Sequence, residues 1–317
     1  MKIYILQPIH ESGVNWLKQR ADVVYYDDPD IGGWKANADG IIVRGMQLNG
    51  KDIRDTMRLK VISKHGVGTD AIDLEAAKEK GIIVTNTPTE TVQSVAEQSV
   101  ALLLAVSRRV CISHNNLKSG KVTTQTAPMT NAFMGCELFG KTVGLVGTGR
   151  IAIATGEILH KGFHMQVKAY APEMKPLRYA AADYAVEICY DLKKMVAECD
   201  FVSCHLPLKE ENRNLIDQEV LNSCKPSAII INTGRGGVID EMALYEALKY
   251  KKIQGAGLDV FEKEPIDRNH PLLSIENFVA SPHNGTNTVE ALSRASLSAC
   301  KNAYKALIGE KVEDIVK

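Results

Sequence analysis

The chain has 317 residues, of which 45% are hydrophobic and 24% are charged, and its 38 Lys and Arg residues balance its 38 Asp and Glu residues. This length favours two domains. The neutral charge without a long basic run indicates no nucleic-acid partner. The longest apolar run, 100–106, is too short to span a bilayer, so no membrane association is expected.

The first residues and the cysteines both favour a cytoplasmic protein. The start, MKIYILQPIHE, lacks the apolar length of a signal peptide and is typical of a first strand. The seven cysteines form no C-x-x-C pair, which is typical of reduced thiols. No cluster of His and Cys has metal-ligand spacing, so we expect no metal.

Short apolar strands alternate with helices through residues 1–97, a pattern that predicts a parallel sheet covered on both faces. Strands are predicted at 2–7, 23–26, 40–44, 60–64 and 82–85, and helices at 12–19, 51–57 and 70–80. Asp70 and Asp73 suit the cap and first turn of the third helix, and Gly81 suits its end. A long helix is predicted over 94–110, followed by irregular structure over 120–140.

A second alternating series begins at Lys141. Its six predicted strands are 142–146, 167–170, 201–205, 228–232, 256–260 and 278–281, with helices that include 191–198, 218–223 and 241–249. A final helix is predicted over 288–308. Six strands with helical crossovers are typical of a dinucleotide-binding sheet. The predicted fold class is therefore α/β, with two Rossmann-like doubly wound parallel-sheet domains and a cleft between them.

The first turn of the second series has the pattern G-x-G-x-x-A between a strand and a helix, the context in which this pattern indicates a dinucleotide site. Gly147 permits a tight turn, Gly149 permits close approach of a pyrophosphate, and the helix N-terminus presents N–H groups to it. The alternative is a glycine-rich turn without a ligand. The motif reads Gly147, Thr148, Gly149, Arg150, Ile151, Ala152.

Three predicted strands of this series are followed by residues that suit hydride transfer at a 2-oxo acid. Ligands of a doubly wound sheet bind beyond the carboxyl ends of its strands. There Arg235 would clamp a carboxylate, and His283 would exchange the hydroxyl proton. Glu264 would orient the imidazole and favour its protonated form. Each residue alone is equally an ordinary surface or loop residue, so the prediction depends on their common placement.

Seven stretches resemble the D-isomer-specific 2-hydroxyacid dehydrogenase family: SKHGVGTDAIDL, SVAEQSVALLLAVSRR, GKTVGLVGTGRIA, HLPLKEENRNLID, INTGRGGVIDEMAL, GAGLDVFEKEP and SPHNGTNT. The resemblance implies a homodimer with catalysis by Arg235, Glu264 and His283. It implies a discontinuous substrate-binding domain, 1–97 plus 290–317, and a dinucleotide-binding domain, 98–289. Beyond the glycine motif, it implies cofactor contacts from Leu206, Pro207, Thr233 and Asp259.

One departure from the family concerns the choice of cofactor. Ala171 stands where the family usually has an acid that holds the adenine ribose and repels a 2′-phosphate. Lys175 and Arg178 lie just downstream and suit a 2′-phosphate, whereas Glu173 is an alternative acid. We therefore expect NAD(P) binding, with NADP(H) used at least as well as NAD(H).

The substrate pocket is predicted from the first half of the chain. Gly66 and Gly68 would leave the N–H groups around Val67 available for a carboxylate. Arg44, with Lys64 and His65, would meet a second anionic group or form a polar wall, unless all three are ordinary surface cations. The chain ends at Lys317, so no amino-acid-sensing regulatory domain is expected.

These patterns together predict an NAD(P)-dependent 2-oxoacid reductase that acts on hydroxypyruvate or glyoxylate. A D-3-phosphoglycerate dehydrogenase is the alternative with the same chemistry. A nucleotide-sensing binding protein on the same fold is the alternative of another class, which the fold alone does not exclude.

Overall fold

The computed structural model describes residues 1–125, 131–172 and 182–316. The chain forms two units: Met1–Ser94 together with Thr286–Lys317, and Val95–Gly285. No helix in the described ranges is long and apolar enough to cross a membrane.

Strands and helices alternate along both units. The strands are β1 (Lys2–Ile5), β2 (Asp22–Val24), β3 (Gly40–Val43), β4 (Val61–Lys64), β5 (Ile83–Thr85), β6 (Thr142–Val146), β7 (Gln166–Tyr170), β8 (Val186–Cys189), β9 (Phe201–Cys204), β10 (Ile229–Asn232), β11 (Gly255–Leu258) and β12 (Phe278–Ala280). The helices are α1 (Glu11–Lys18), α2 (Trp34–Asn37), α3 (Gly50–Arg54), α4 (Leu74–Glu79), α5 (Val92–Ser107), α6 (Val110–Lys118), α7 (Arg150–Phe163), α8 (Leu192–Glu198), α9 (Gln218–Ser223), α10 (Glu241–Lys249) and α11 (Val289–Ile308).

The first unit is built on a parallel sheet with the strand order β2-β1-β3-β4-β5. All four residues of β3 are buried, as expected for a strand covered on both faces. The order reverses direction between β1 and β3, which makes the sheet doubly wound and places a ligand-binding edge beyond these two strands.

The second unit is built on a parallel sheet with the order β12-β11-β10-β9-β6-β7-β8. Its direction reverses between β6 and β9, so the loops after these strands flank the expected dinucleotide site. The central strands β9, β10 and β11 are buried at every residue. The prediction of two doubly wound parallel sheets with flanking helices is confirmed.

Two elements of the second unit differ from the prediction. Strand β8 was not predicted, because this edge strand reads Val-Glu-Ile-Cys, none of whose residues is fully buried. The helix predicted over 94–110 is α5, which ends at Ser107. Arg109 then adopts a left-handed conformation (φ 54°), and a helix that was not predicted, α6, begins at the next residue. Helix α6 therefore reaches nearly to the segment that was predicted to be irregular.

Helix caps explain the boundaries that the sequence pattern predicted well. Asp73 caps α4 by accepting the N–H of Ala76 at 2.9 Å, so the cap is Asp73 rather than Asp70. Gly81 follows α4 with φ +67°, as predicted for the end of this helix. Thr288 caps α11 by accepting the N–H of Ala291 at 3.2 Å.

Helix α11 packs on the first sheet and on α1 through small residues. Ala291, Ala295, Ala299 and Ala303 are fully buried along one face of this helix. A Cβ placed on Gly13 of α1 would lie 2.4 Å from the carbonyl oxygen of Ser296. The contact between these two helices therefore requires glycine at position 13.

We expect Gly13→Ala to lower the free energy of unfolding of the first unit by about 1–3 kcal/mol, the usual cost of overpacking. Gly162→Ala on α7 is the matched control, because no atom lies within 4 Å of its added Cβ. Alanine is the better helix former, so the control should be stabilised by up to about 1 kcal/mol. Urea denaturation followed by circular dichroism measures both effects. Equal unfolding midpoints for the two variants would contradict the close packing of α1 on α11.

Candidate active site

The carboxyl end of β12 carries an imidazole paired with a carboxylate. The Nδ1–H of His283 donates to Oε2 of Glu264 at 2.7 Å. The second carboxylate oxygen of Glu264 accepts the backbone N–H of Phe261 at 3.0 Å, which holds the carboxylate in place. The His283 side chain remains 45% exposed. This geometry fixes the tautomer and leaves Nε2 as the ring nitrogen that is available to a ligand.

The turn that carries His283 is held by Asp259 at the end of β11. The Asp259 carboxylate is 2% exposed and accepts the hydroxyl of Ser281 at 2.5 Å. It also accepts the N–H groups of Asn284 at 3.0 Å and Gly285 at 2.9 Å. His283 itself has φ 52°, a left-handed conformation that this set of hydrogen bonds stabilises. Asp259 therefore positions the imidazole, whereas its predicted cofactor contact stays a prediction.

The loop that carries Arg235 is held by Asn232 at the end of β10. Asn232 is 1% exposed, and its Oδ1 accepts the N–H of Gly234 at 2.9 Å. Its Nδ2 donates to the carbonyl oxygen of Arg235 at 2.9 Å. The oxygen and the nitrogen of the Asn232 amide thus both hold the loop that carries Arg235, the predicted carboxylate clamp.

The same loop passes between the loops of the two neighbouring strands. A Cβ on Gly234 would lie 2.7 Å from the carbonyl oxygen of Leu206, after β9. A Cβ on Gly236 would lie 1.9 Å from the carbonyl of Phe261, after β11. These two glycines therefore allow Arg235 to lie between the Leu206 segment and the segment that holds Glu264.

The turn after β6 has the features required for a dinucleotide. Gly147 has φ +118°, a conformation that L residues rarely adopt. Gly149 caps α7 without any side-chain hydrogen bond, and no atom lies within 4 Å of a Cβ placed on it. The first N–H groups of α7, beginning at Arg150 and Ile151, are therefore without a side-chain cap and suit a pyrophosphate. Ala152 is fully buried at the position where the helix approaches the sheet.

The remaining predicted contacts of the second unit lie at the same sheet edge. Thr148 is within the glycine turn, Leu206 and Pro207 follow β9, and Thr233 follows β10 and is 6% exposed. Ala171 follows β7, where it is 4% exposed and donates its N–H to Cys189 at 3.0 Å. The predicted cofactor contact Lys175, together with Arg178 and Glu173, lies outside the described residues.

Residues 66–68, which follow β4 in the first unit, form the loop that is predicted to bind a carboxylate and is here called the carboxylate loop. Gly66 has φ +121°, and Val67 is 38% exposed. Within the ranges that the structure describes, the N–H groups of Val67 and Gly68 form no hydrogen bond. Two consecutive N–H groups of this kind suit a carboxylate.

The cations of the first unit differ from the predicted set of three. His65 is 4% exposed, and burial next to Arg44 lowers its pKa to about 4, so its imidazole is neutral at pH 7. The ammonium of Lys64 donates to the carbonyl oxygens of Arg44 and His65. The prediction of His65 as a cation is therefore wrong, because the side chain is packed inside the unit. Gln7 holds the Arg44 segment through three backbone N–H groups, at 2.9, 2.7 and 2.7 Å.

Comparison with known proteins assigns the chain to a family. Residues 100–285 match the model of the D-isomer specific 2-hydroxyacid dehydrogenase, NAD binding domain. The chain is 37% identical over 320 residues to the D-3-phosphoglycerate dehydrogenase of Methanocaldococcus jannaschii, an alignment that covers 100% of this chain and 59% of the relative. The chain belongs to the D-isomer specific 2-hydroxyacid dehydrogenase family.

Two further relatives of this family are similar over nearly their whole length. The glyoxylate reductase of Thermofilum pendens is 37% identical, with 98% of this chain and 92% of the relative covered. The crystal structure of the NADPH-dependent glyoxylate/hydroxypyruvate reductase of Sinorhizobium meliloti in complex with citrate has a TM-score of 0.85 at 27% identity, covering 99% and 97%. By contrast, the chain spans about three fifths of the length of the phosphoglycerate dehydrogenases that it matches.

One partly buried histidine of this family member was missed by sequence reasoning. His205, directly after β9, has its Nε2 2.9 Å from the hydroxyl of Ser203 and its Nδ1 3.5 Å from that of Thr233. Ser99 of α5 donates to Val95 and therefore accepts from Thr233 at 2.7 Å. Burial lowers the pKa of His205 to about 3, which suits a neutral imidazole in this chain of hydrogen bonds. The sequence signal that could have identified His205 is its position directly at the end of a predicted strand.

The glycine turn allows a test of the dinucleotide site that is independent of catalysis. Because a Cβ on Gly149 has open space around it, Gly149→Ala should leave the unfolding midpoint unchanged. The added methyl occupies the surface that a pyrophosphate approaches, so we expect the Kd for NAD(P)H to rise at least about tenfold. Calorimetric titration with both reduced cofactors measures the change. An unaltered Kd would show that the turn does not contact the diphosphate.

Proposed function

We propose that this chain is an NAD(P)-dependent D-2-hydroxyacid dehydrogenase that reduces a short 2-oxo acid such as hydroxypyruvate or glyoxylate. The observation that supports it most is the hydrogen bond of 2.7 Å between His283 and Glu264. This pair lies at the end of β12, in the same unit as the loop of Arg235 and the turn of Gly149. An oriented imidazole and a clamp for a carboxylate at the same edge of the sheet suit a reaction that adds a proton to a ketone oxygen.

In this proposal the second unit binds the cofactor and the first unit binds the substrate. The uncapped N-terminus of α7 receives the pyrophosphate, and Leu206, Pro207 and Thr233 line the rest of the site. The reduced nicotinamide, when bound, supplies the hydride. In the first unit, the N–H groups of Val67 and Gly68 suit the substrate carboxylate. In the second unit, the Arg235 guanidinium is the group that suits a carboxylate.

The chain's own residues carry out the proton transfer. His283 Nε2 holds the proton that the carbonyl oxygen receives, and Glu264 keeps the ring in the required orientation through Nδ1–H. In the oxidative direction the same nitrogen accepts the hydroxyl proton.

A short substrate is favoured over a phosphorylated one by the charges beside the carboxylate loop. His65 is neutral, and the Lys64 ammonium binds backbone carbonyl oxygens. Of the three predicted cations, Arg44 then remains for a second anionic group. This is less positive charge than a phosphorylated substrate was predicted to meet. D-3-phosphoglycerate remains the alternative, since the Methanocaldococcus jannaschii relative carries that name.

The cofactor and the assembly state are also proposed. Ala171 at the end of β7 carries no carboxylate to repel a 2′-phosphate, so NADP(H) should serve at least as well as NAD(H). A homodimer is supported by apolar residues on one face of α6, Val110 and Leu117, which are 53% and 52% exposed. Cytoplasmic location is supported by the seven cysteines, all of which are free thiols.

Initial rates with a panel of 2-oxo acids test the proposed function. We expect oxidation of NADPH and NADH by hydroxypyruvate or glyoxylate, with lower kcat/KM for 3-phosphohydroxypyruvate. A preference for NADH above about a hundredfold, equivalent to about 2.7 kcal/mol, would refute the proposed use of NADP(H). Tight cofactor binding without turnover of any acid would instead support the nucleotide-sensing binding protein.

His283→Asn tests the acid–base role without straining the backbone, because asparagine tolerates the left-handed conformation of this residue, φ 52°. We expect kcat to fall by about 10²–10⁴-fold, the usual contribution of an acid–base group, with little change in cofactor affinity. His164→Asn is the matched control, because His164 is exposed and also has φ 52°. Near-normal turnover of His283→Asn would refute the role of this histidine.

A further inference from the structure

A short segment near the end of the chain pairs with the first sheet, and nothing in the proposed reaction uses it. Thr85 and Ile315 form an antiparallel bridge. The N–H of Val316 donates to the carbonyl oxygen of Val84 at 2.8 Å. The N–H of Asn86 donates to the carbonyl oxygen of Asp314 at 3.1 Å. Residues 314–316, here called the tail strand, thus cover the edge of β5.

Asn86 lies between the tail strand and the carboxylate loop. Its carbonyl oxygen accepts from Nδ2 of Asn302, a buried residue of α11, at 3.1 Å. Its own Nδ2 donates to the carbonyl oxygen of Val67 at 2.8 Å. The backbone of Asn86 is therefore fixed on the side of the tail strand, and its side chain fixes a peptide unit of the loop.

The next residue strengthens this connection. Thr87 is fully buried, and its hydroxyl accepts the N–H of Gly66 at 2.8 Å. Its own N–H donates to the carbonyl oxygen of Gly66 at 3.0 Å. Gly66 and Val67 are thus held by their carbonyl groups and by one N–H, an arrangement that leaves the N–H groups of Val67 and Gly68 for a ligand.

We propose that Asn86 is a positioning residue for the 2-oxo acid, and that the tail strand and Asn302 act through it. A loop with two glycines has many conformations, and ordering it on binding costs affinity. The Asn86–Val67 hydrogen bond orders the loop when the protein folds, so that less conformational entropy is lost when the substrate binds. This inference rests on the proposed function, because it assigns a carboxylate to the loop.

Asn86→Asp tests the proposal with an isosteric change. Aspartate lacks the side-chain donor and places a carboxylate oxygen against the Val67 carbonyl oxygen. We expect KM for the oxo acid to rise about tenfold, equivalent to about 1.4 kcal/mol. The KM for the reduced cofactor and kcat should change by less than about twofold, a split that general destabilisation would not produce.

Asn37→Asp is the matched control, because Nδ2 of Asn37 also donates to a backbone carbonyl, that of Gly33, at 3.2 Å in the same unit. It should leave KM for the oxo acid unchanged. Val316→Pro tests the tail strand separately, since proline removes the N–H that pairs with Val84. Val316→Pro should also raise KM for the oxo acid.

Hydrogen exchange of residues 66–69, measured by mass spectrometry on the full chain, reads the loop without requiring activity. We expect faster exchange in Asn86→Asp and Val316→Pro, but not in Asn37→Asp. Unchanged exchange or an unchanged oxo-acid KM in Asn86→Asp would overturn the proposal. If the wild-type protein reduces no oxo acid, the proposed function fails. The exchange result alone then decides whether Asn86 holds the loop.

Discussion

Two buried polar side chains, Asn232 and Asp259, determine the shape of the candidate site. Each continues the hydrogen bonding of its strand beyond the strand end, and the carbonyl of Asn232 accepts the N–H of Asp259 at 2.9 Å. A buried polar group left without partners costs about 1–3 kcal/mol. Both side chains therefore stabilise only those loop conformations that supply their partners. These are the loops that carry Arg235 and His283.

Close backbone approach is the second constraint on the same edge. Neighbouring strands in the order β9, β10, β11 and β12 bring their loops side by side. The loop of Arg235 fits between its neighbours only because Gly234 and Gly236 have no Cβ. Sheet topology thus brings together residues that are distant in sequence, and the glycines determine how closely the loops pack.

Much of the fold was predictable from the sequence, because hydrophobic period and caps are local signals. The bounds of Thr142–Val146, Gln218–Ser223 and Glu241–Lys249 agree with the prediction. Sequence reasoning placed Arg235, Glu264 and His283 at strand ends by the rule for doubly wound sheets, and the structure pairs the last two. It did not reveal the burial of His65 or the partners of Asn232 and His205. These depend on backbone and side-chain groups that only the tertiary fold brings close.

Neutral amides hold the loops of both units, which has an electrostatic consequence. Gln7 binds the segment of Arg44, Asn86 binds Val67, and Asn232 binds the loop of Arg235. A carboxylate at position 7 would still accept the three N–H groups, but at positions 86 and 232 it would lack the Nδ2 donor. At all three positions it would add a negative charge. An amide supplies both a donor and an acceptor without net charge. No carboxylate at these three positions therefore offsets the positive charge of Arg44 or of Arg235, in a chain whose formal net charge is zero.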